Sequence, residues 1–147
     1  MRLVVQRVTS ASVSINDQFV ASISKGLLVL VGFTVGDDES TVLALADKLI
    51  NLRIFADQHG RFSESVIDID AGILVVPQFT LYADTRKGRR PSFSAALDPQ
   101  LAELLFDKYL ECLKQRLHKV EEGVFGASMQ VSLVNDGPMT IILDSNS

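Results

Sequence analysis

Between Leu3 and Phe33 the chain runs through short apolar, β-branched segments separated only by turn residues, and this spacing governs what it can fold into. Leu3 to Val8, Ser12 to Ile15, Phe19 to Ile23 and the continuous run Leu27 to Phe33 read as strands. Asn16-Asp17 and Lys25-Gly26 supply turn chemistry between them. A parallel crossover needs about a dozen or more connecting residues, so connections this short predict antiparallel hairpins.

Helical periodicity enters only twice. Val42, Leu45, Ala46 and Leu49 form one stripe after Asp37-Asp38-Glu39, whose acids suit a helix N-terminus. A second helix starts at about Asp98, with Asp98 as N-cap, Pro99 in the first turn, and Ala102, Leu105, Phe106, Tyr109, Leu113 and Leu117 on one face. Leu52 to Phe55 predicts a short strand and Ile73 to Leu81 a buried one. Pro77 cannot donate to a ladder and is expected at a strand end, an edge or a bulge. Met129 to Val134 and Met139 to Leu143 predict two last strands around Asn135-Asp136-Gly137-Pro138. The order predicts an α+β fold: a single domain over residues 1–147, with mainly antiparallel sheets forming a barrel-like core and two main helices.

With 47% hydrophobic and 22% charged residues, the composition excludes a disordered chain. Net charge is 14 − 18 = −4, so any nucleic-acid contact has to come from a local patch. Arg86-Lys87-Gly88-Arg89-Arg90 is such a patch, holding four of the 14 basic residues. The single Cys112 rules out an internal disulfide and fits a reducing compartment. Arg2 and Arg7 interrupt the first apolar stretch, which is neither a signal peptide nor a membrane span, so a cytoplasmic location is expected.

Side-chain catalysts are scarce. His59 falls in a turn and His118 at the end of the second helix, where exposure or dipole complementarity accounts for them, and nothing local builds a Ser-His-Asp triad. Cys112, beside Tyr109 and Leu113, reads as a buried inert thiol. No Glu-x-x-His or Asp-x-Asp spacing suggests a metal, and no cofactor is expected. Three segments stay open. Gln78-Phe79-Thr80 is either plain β-propensity or a site at a strand end. Gly137-Pro138 reads as an ordinary trans turn, since only ~5–6% of X-Pro bonds in folded proteins are cis. The basic loop, running into Pro91-Ser92-Phe93, is either a solvated surface or a place for a phosphate with a stacked base.

Taken in order, several segments resemble the D-aminoacyl-tRNA deacylase family. They are Gln6-Arg7-Val8 with Ser10-Ala11-Ser12-Val13, Gly26 to Leu30, Asn51 to Phe55, Gln78 to Leu81, Asp84 to Phe93, and Met129 to Pro138. The resemblance implies a cytoplasmic homodimer that hydrolyses the ester joining a D-amino acid to the 3′-terminal adenosine of tRNA. It also implies that the Gly137-Pro138 bond is cis and enters the partner's site beside Gln78, Phe79 and Thr80. The family does not settle whether Thr80 is nucleophile or positioning group, and positioning is preferred. Arg86, Lys87, Arg89 and Arg90 would then contact the tRNA.

An aminoacyl ester is already activated. Positioning, backbone N–H donors near Phe79 and Thr80, and the vicinal 2′-hydroxyl of the RNA can therefore stand in for a protein base. Rejection of L-substrates by main-chain clash cannot exclude glycine, so activity on glycyl-tRNA is expected, including glycine mischarged on tRNA(Ala). Two departures stand out: Pro77 where the family usually has serine, and Arg61-Phe62-Ser63-Glu64-Ser65 where it commonly has a Met-Asn pair after a basic residue. A dimeric tRNA-end binding protein without turnover is the alternative; a structural dimer that does not touch RNA would leave the basic loop unexplained.

Overall fold

The computed structural model describes residues 1–146. In chain order the strands are β1 (Arg2–Ile15), β2 (Gln18–Ile23), β3 (Gly26–Gly32), β4 (Phe55–Ala56), β5 (Phe62–Glu64), β6 (Gly72–Pro77), β7 (Val120–Glu122) and β8 (Gln130–Asp144). Helix α1 (Glu39–Ile50) lies between β3 and β4, a 3₁₀ turn (Phe79–Tyr82) follows β6, and α2 (Pro99–Lys114) precedes β7.

β1 is the organising strand. β8 runs antiparallel to it from Arg2↔Asp144 to Ser14↔Gln130. β2 and β3 therefore share its other edge, β2 along Ala11 to Ile15 and β3 along Arg2 to Val8. The β1–β2 hairpin closes through Asn16 (φ 49°) and Asp17 (φ 60°), both left-handed, as a two-residue loop between twisted strands requires. Lys25-Gly26 makes no hairpin, because β2 and β3 both pair with β1 and not with each other. β3 pairs in parallel with β6, and β6 in parallel with β7. The helices supply those crossovers, so the sheet is mixed, with antiparallel pairs around β1. β2 lies back against β6 and β7, curling the sheet toward a barrel.

The continuous apolar runs of β3 and β6 follow from burial on both faces. Leu27, Val29, Val31, Ile73 and Val75 face the helices with Leu45, Leu49, Phe106, Tyr109 and Leu113. Leu28, Leu74 and Val76 face the barrel interior with Val8, Val13 and Ile23. Each such side chain contributes about 1.5–3 kcal/mol when fully buried. Asp98 caps α2 as predicted, accepting from Gln100 N and Leu101 N, and of the acids before α1 it is Asp38 that caps, accepting from Thr41 N. On α2, Leu110 is buried and Leu105 only partly, while Leu117 is buried beyond the helix end.

Four further expectations are corrected. Leu52 to Phe55 is not a strand; only Phe55–Ala56 pairs, with β5. The strand expected to reach Leu81 stops at Pro77 and turns into the 3₁₀ segment. The two C-terminal strands are one, because β8 continues through residues 135 to 138. The 137–138 peptide is cis, against the trans turn read from the residues alone. Among the described residues no helix is long and apolar enough to cross a membrane.

Candidate active site

Strand β6 sets the site. Pro77 ends it, so the missing N–H falls at the margin of the ladder, and Gln78 N donates to Val31 O at 2.7 Å. The chain then tightens into the 3₁₀ turn, closed by Leu81 N to Gln78 O at 3.3 Å and followed by Ala83 N to Thr80 O at 3.0 Å. Gln78 is half-buried, Phe79 and Thr80 are exposed, and Gln78 Nε2 donates to Thr80 Oγ1.

A cavity of about 720 Å³ opens beside this turn. Val31 and Phe33 of the β3 end, Val76, Pro77, Gln78 and Phe79 form one side. Phe93 to Ala102 and Phe125 to Met129 supply most of the rest through Phe93, Leu97, Ala102, Phe125 and Met129, and Val131 of β8 completes it. Leu97 N donates to Phe33 O at 3.0 Å and Thr34 Oγ1 to Ala95 O at 2.6 Å, holding the first of these segments over β3. Val124 N donates to Met129 Sδ at 3.3 Å and fixes the second. Phe79 and Phe93 meet edge to face with ring centres 5.2 Å apart. The site is mostly apolar with a few polar groups at its edge, which suits a planar base or ring more than an ion. Among the described residues no cluster of His, Cys, Asp and Glu could hold a metal.

The basic loop hangs directly from this edge. Asp84 and Ser92 exchange backbone hydrogen bonds at 2.7 and 2.9 Å, so the intervening residues form a closed finger. Arg86 forks onto the Asp84 carboxylate at 2.9 and 2.7 Å, and that hydrogen bonding holds the Asp84 carboxyl down at about 2. Lys87, Arg89 and Arg90 are exposed and have no carboxylate partner among the described residues.

Gly137 and Pro138 are exposed and do not line their own chain's cavity. Gln6 pairs with Thr140 and Val8 with Asn135, so Asp136 to Met139 stand opposite Arg7 alone and bulge out of β8. Asn135 Nδ2 spans the bulge, donating to Arg7 O at 2.9 Å and Met139 O at 3.1 Å. Thus Gln78 and Phe79 come together with the cavity, Thr80 sits beside it, and Gly137-Pro138 lies elsewhere. His118 is exposed against Asp70 at 3.2 Å, His59 stays in its turn, and Cys112 packs partly buried against the core.

The sequence reading missed Phe33, Leu97, Phe125 and Met129. The loop Gly123 to Ser128 carries small residues that mark a turn, but nothing local says which cavity it walls.

The family model described as D-Tyr-tRNA(Tyr) deacylase matches residues 4–144. The chain belongs to that family. Among deacylase relatives, the D-aminoacyl-tRNA deacylase of Roseiflexus sp. (strain RS-1) is 56% identical over 145 residues, covering 99% of this chain and 94% of the relative. That of Halothermothrix orenii (strain H 168 / OCM 544 / DSM 9562) is 53% identical over 146 residues, covering 99% and 98%. This family member is accordingly a hydrolase of the deacylase kind. A solved c-Myc DNA Unwinding Element Binding Protein superposes with a TM-score of 0.93 at 40% identity, covering 98% of both chains. A probable eukaryotic D-amino acid tRNA deacylase shares the fold at a TM-score of 0.86 and 17% identity, covering 97% of both.

Proposed function

We propose that this deacylase acts in the cytoplasm as a homodimer. It hydrolyses the ester between a D-amino acid or glycine, including glycine mischarged on tRNA(Ala), and the 3′-terminal adenosine of tRNA. The cavity takes the terminal nucleoside and its ester, and Gly137-Pro138 of the partner chain closes the side an L side chain would enter. One observation carries the reading: the apolar cavity ends at the turn bearing Gln78, Phe79 and Thr80, while the exposed Gly137-Pro138 bulge of the same chain does not line it. A second copy can use that bulge.

Water adds to the ester carbonyl, the bond from the carbonyl carbon to the 3′-oxygen breaks, and the D-amino acid leaves a free 3′-hydroxyl. Phe79 and Thr80 open the 3₁₀ turn, and the first N–H groups of such a turn have no partner inside it, so they serve as donors to the developing oxyanion. Thr80 Oγ1, held by Gln78, positions the water or ribose, and the vicinal 2′-hydroxyl relays the proton. Lys87, Arg89 and Arg90 contact tRNA phosphates, with Arg86 shaping the finger through Asp84. No metal or cofactor enters this scheme.

Purified protein is expected to hydrolyse D-tyrosyl-tRNA and glycyl-tRNA(Ala) but not L-tyrosyl-tRNA. Failure on D-tyrosyl-tRNA sinks the activity, and failure on the glycyl substrate sinks rejection by clash. Thr80→Ala and Gly137→Ala chains, each inactive alone, are expected to regain activity when mixed, because each mixed dimer has one intact composite site. No recovery on mixing refutes the shared site.

A further inference from the structure

We infer that Arg2 is a positioning residue for hydrolysis, clamping the 3₁₀ turn that borders the cavity. Its Nε donates to Asp144 Oδ2 at 2.7 Å and its Nη2 pairs with the same carboxylate at 2.7 Å. The remaining arm, Nη1, donates to Leu81 O at 3.0 Å, and the guanidinium lies 5.0 Å from the centre of the Tyr82 ring. Leu81 and Tyr82 are the second half of the turn whose first half is Phe79 and Thr80. One planar fork thus ties the turn to the last residue of β8. Lysine, with a single ammonium, cannot hold that pair of contacts in the same geometry.

The packing of the turn on β3 has no slack. A Cβ on Gly32, at the end of β3, would sit 3.0 Å from Gln78 O and 3.0 Å from the Leu81 side chain. The turn therefore packs closely on the bare Gly32 backbone and is held by Arg2, the residue that pairs with Gly32 across β1 and β3. Gln78 N to Val31 O ties the start of the turn to β3, whereas Leu81 N to Gln78 O and Ala83 N to Thr80 O only close the turn on itself. Arg2 is far in sequence from residues 78 to 82 and does not line the cavity, so it acts through the turn and not on substrate.

The claim rests on reading the cavity beside the turn as the substrate site, and two readouts keep the two apart. Arg2→Ala is expected to lower kcat on D-tyrosyl-tRNA by about tenfold or more with KM nearly unchanged, since displacement of positioning groups by about an ångström can cost up to 10²-fold. Amide exchange at Leu81 and Ala83 is expected to speed up by about tenfold while β3 and β6 keep their protection. Arg2→Lys, which restores one donor, should recover part of kcat. Unchanged kcat and unchanged exchange in Arg2→Ala overturn the clamp. So does faster exchange throughout the chain with activity falling only in step with the folded fraction. Should the wild type fail to deacylate, the site reading fails, yet the exchange experiment still decides whether Arg2 holds the turn.

Discussion

Arg7 and Asp136 are joined twice: Arg7 Nε donates to the Asp136 carbonyl at 3.2 Å and stands 3.0 Å from its carboxylate. The Arg7 side chain is almost buried and also donates to Ile54 O, so one guanidinium spans β1, the chain before β4 and the bulge carrying Gly137 and Pro138. Replacing Arg7 by alanine leaves two carbonyls without their charged donor. The Arg7→Ala variant is expected to lose about 2–3 kcal/mol of stability. Its D-tyrosyl-tRNA hydrolysis should fall further than the folded fraction. Urea unfolding and steady-state rates check both; activity matching the folded fraction would separate Arg7 from function.

Gly137→Ala tests the same bulge without disturbing the chain's own packing. A Cβ there has its nearest neighbour, Asn135 Oδ1, at 3.8 Å, which is ordinary contact. The thermal midpoint is expected to stay where it is while deacylation drops. A large loss of stability would mean that the added methyl meets something in its own chain.

Gly26 and Gly72 pair where β3 and β6 begin, and a Cβ on Gly26 would lie 1.9 Å from Gly72 O. Backbone cannot yield that distance without breaking the parallel register. Gly26→Ala is expected to cost at least roughly 3 kcal/mol or prevent folding, read from denaturant midpoints and soluble yield. A near-native midpoint would show that the strands can separate there.

Asp38 should shape stability in acid. Hydrogen bonds from Ser40, then from Thr41, hold its carboxyl at about 2 against an ordinary 3.8. The unfolded chain takes up that proton first, so the contribution is complete above about pH 4 and disappears as pH falls through the folded value. Asp38→Asn keeps a good N-cap and removes the titration. Between pH 4 and 2 the wild type is expected to lose stability more steeply than the variant; parallel losses in urea titrations would discard the assignment.

The finger from Asp84 to Ser92 separates structural from phosphate-seeking charge. Alanine at Lys87, Arg89 or Arg90 is expected to raise KM for tRNA substrates and to reduce the salt dependence of binding by roughly one unit of slope for each phosphate no longer neutralised. Arg86→Ala should instead loosen the finger, because its guanidinium is already committed to Asp84. Equal effects at all four positions would contradict that division.

Local chemistry decided much of this protein. The acidic start of α1, the cap at Asp98, the Asn16-Asp17 turn and the stripes of both helices are visible in the residues, because each depends on neighbours within about one helical turn or one hairpin. The motif segments from Gln6 to Pro138 carried the family as well. Tertiary structure alone decided the rest: the pairing of β1 with β8 across the whole chain, the parallel alignment of β3 with β6, and the apolar walls at Phe33, Leu97, Phe125 and Met129. The 3₁₀ turn after Pro77 was likewise invisible, since its Phe, Thr, Leu and Tyr favour strands by propensity. Contacts from Gly32 and Arg2, distant in sequence, accompany the bend, and no short window of residues contains them.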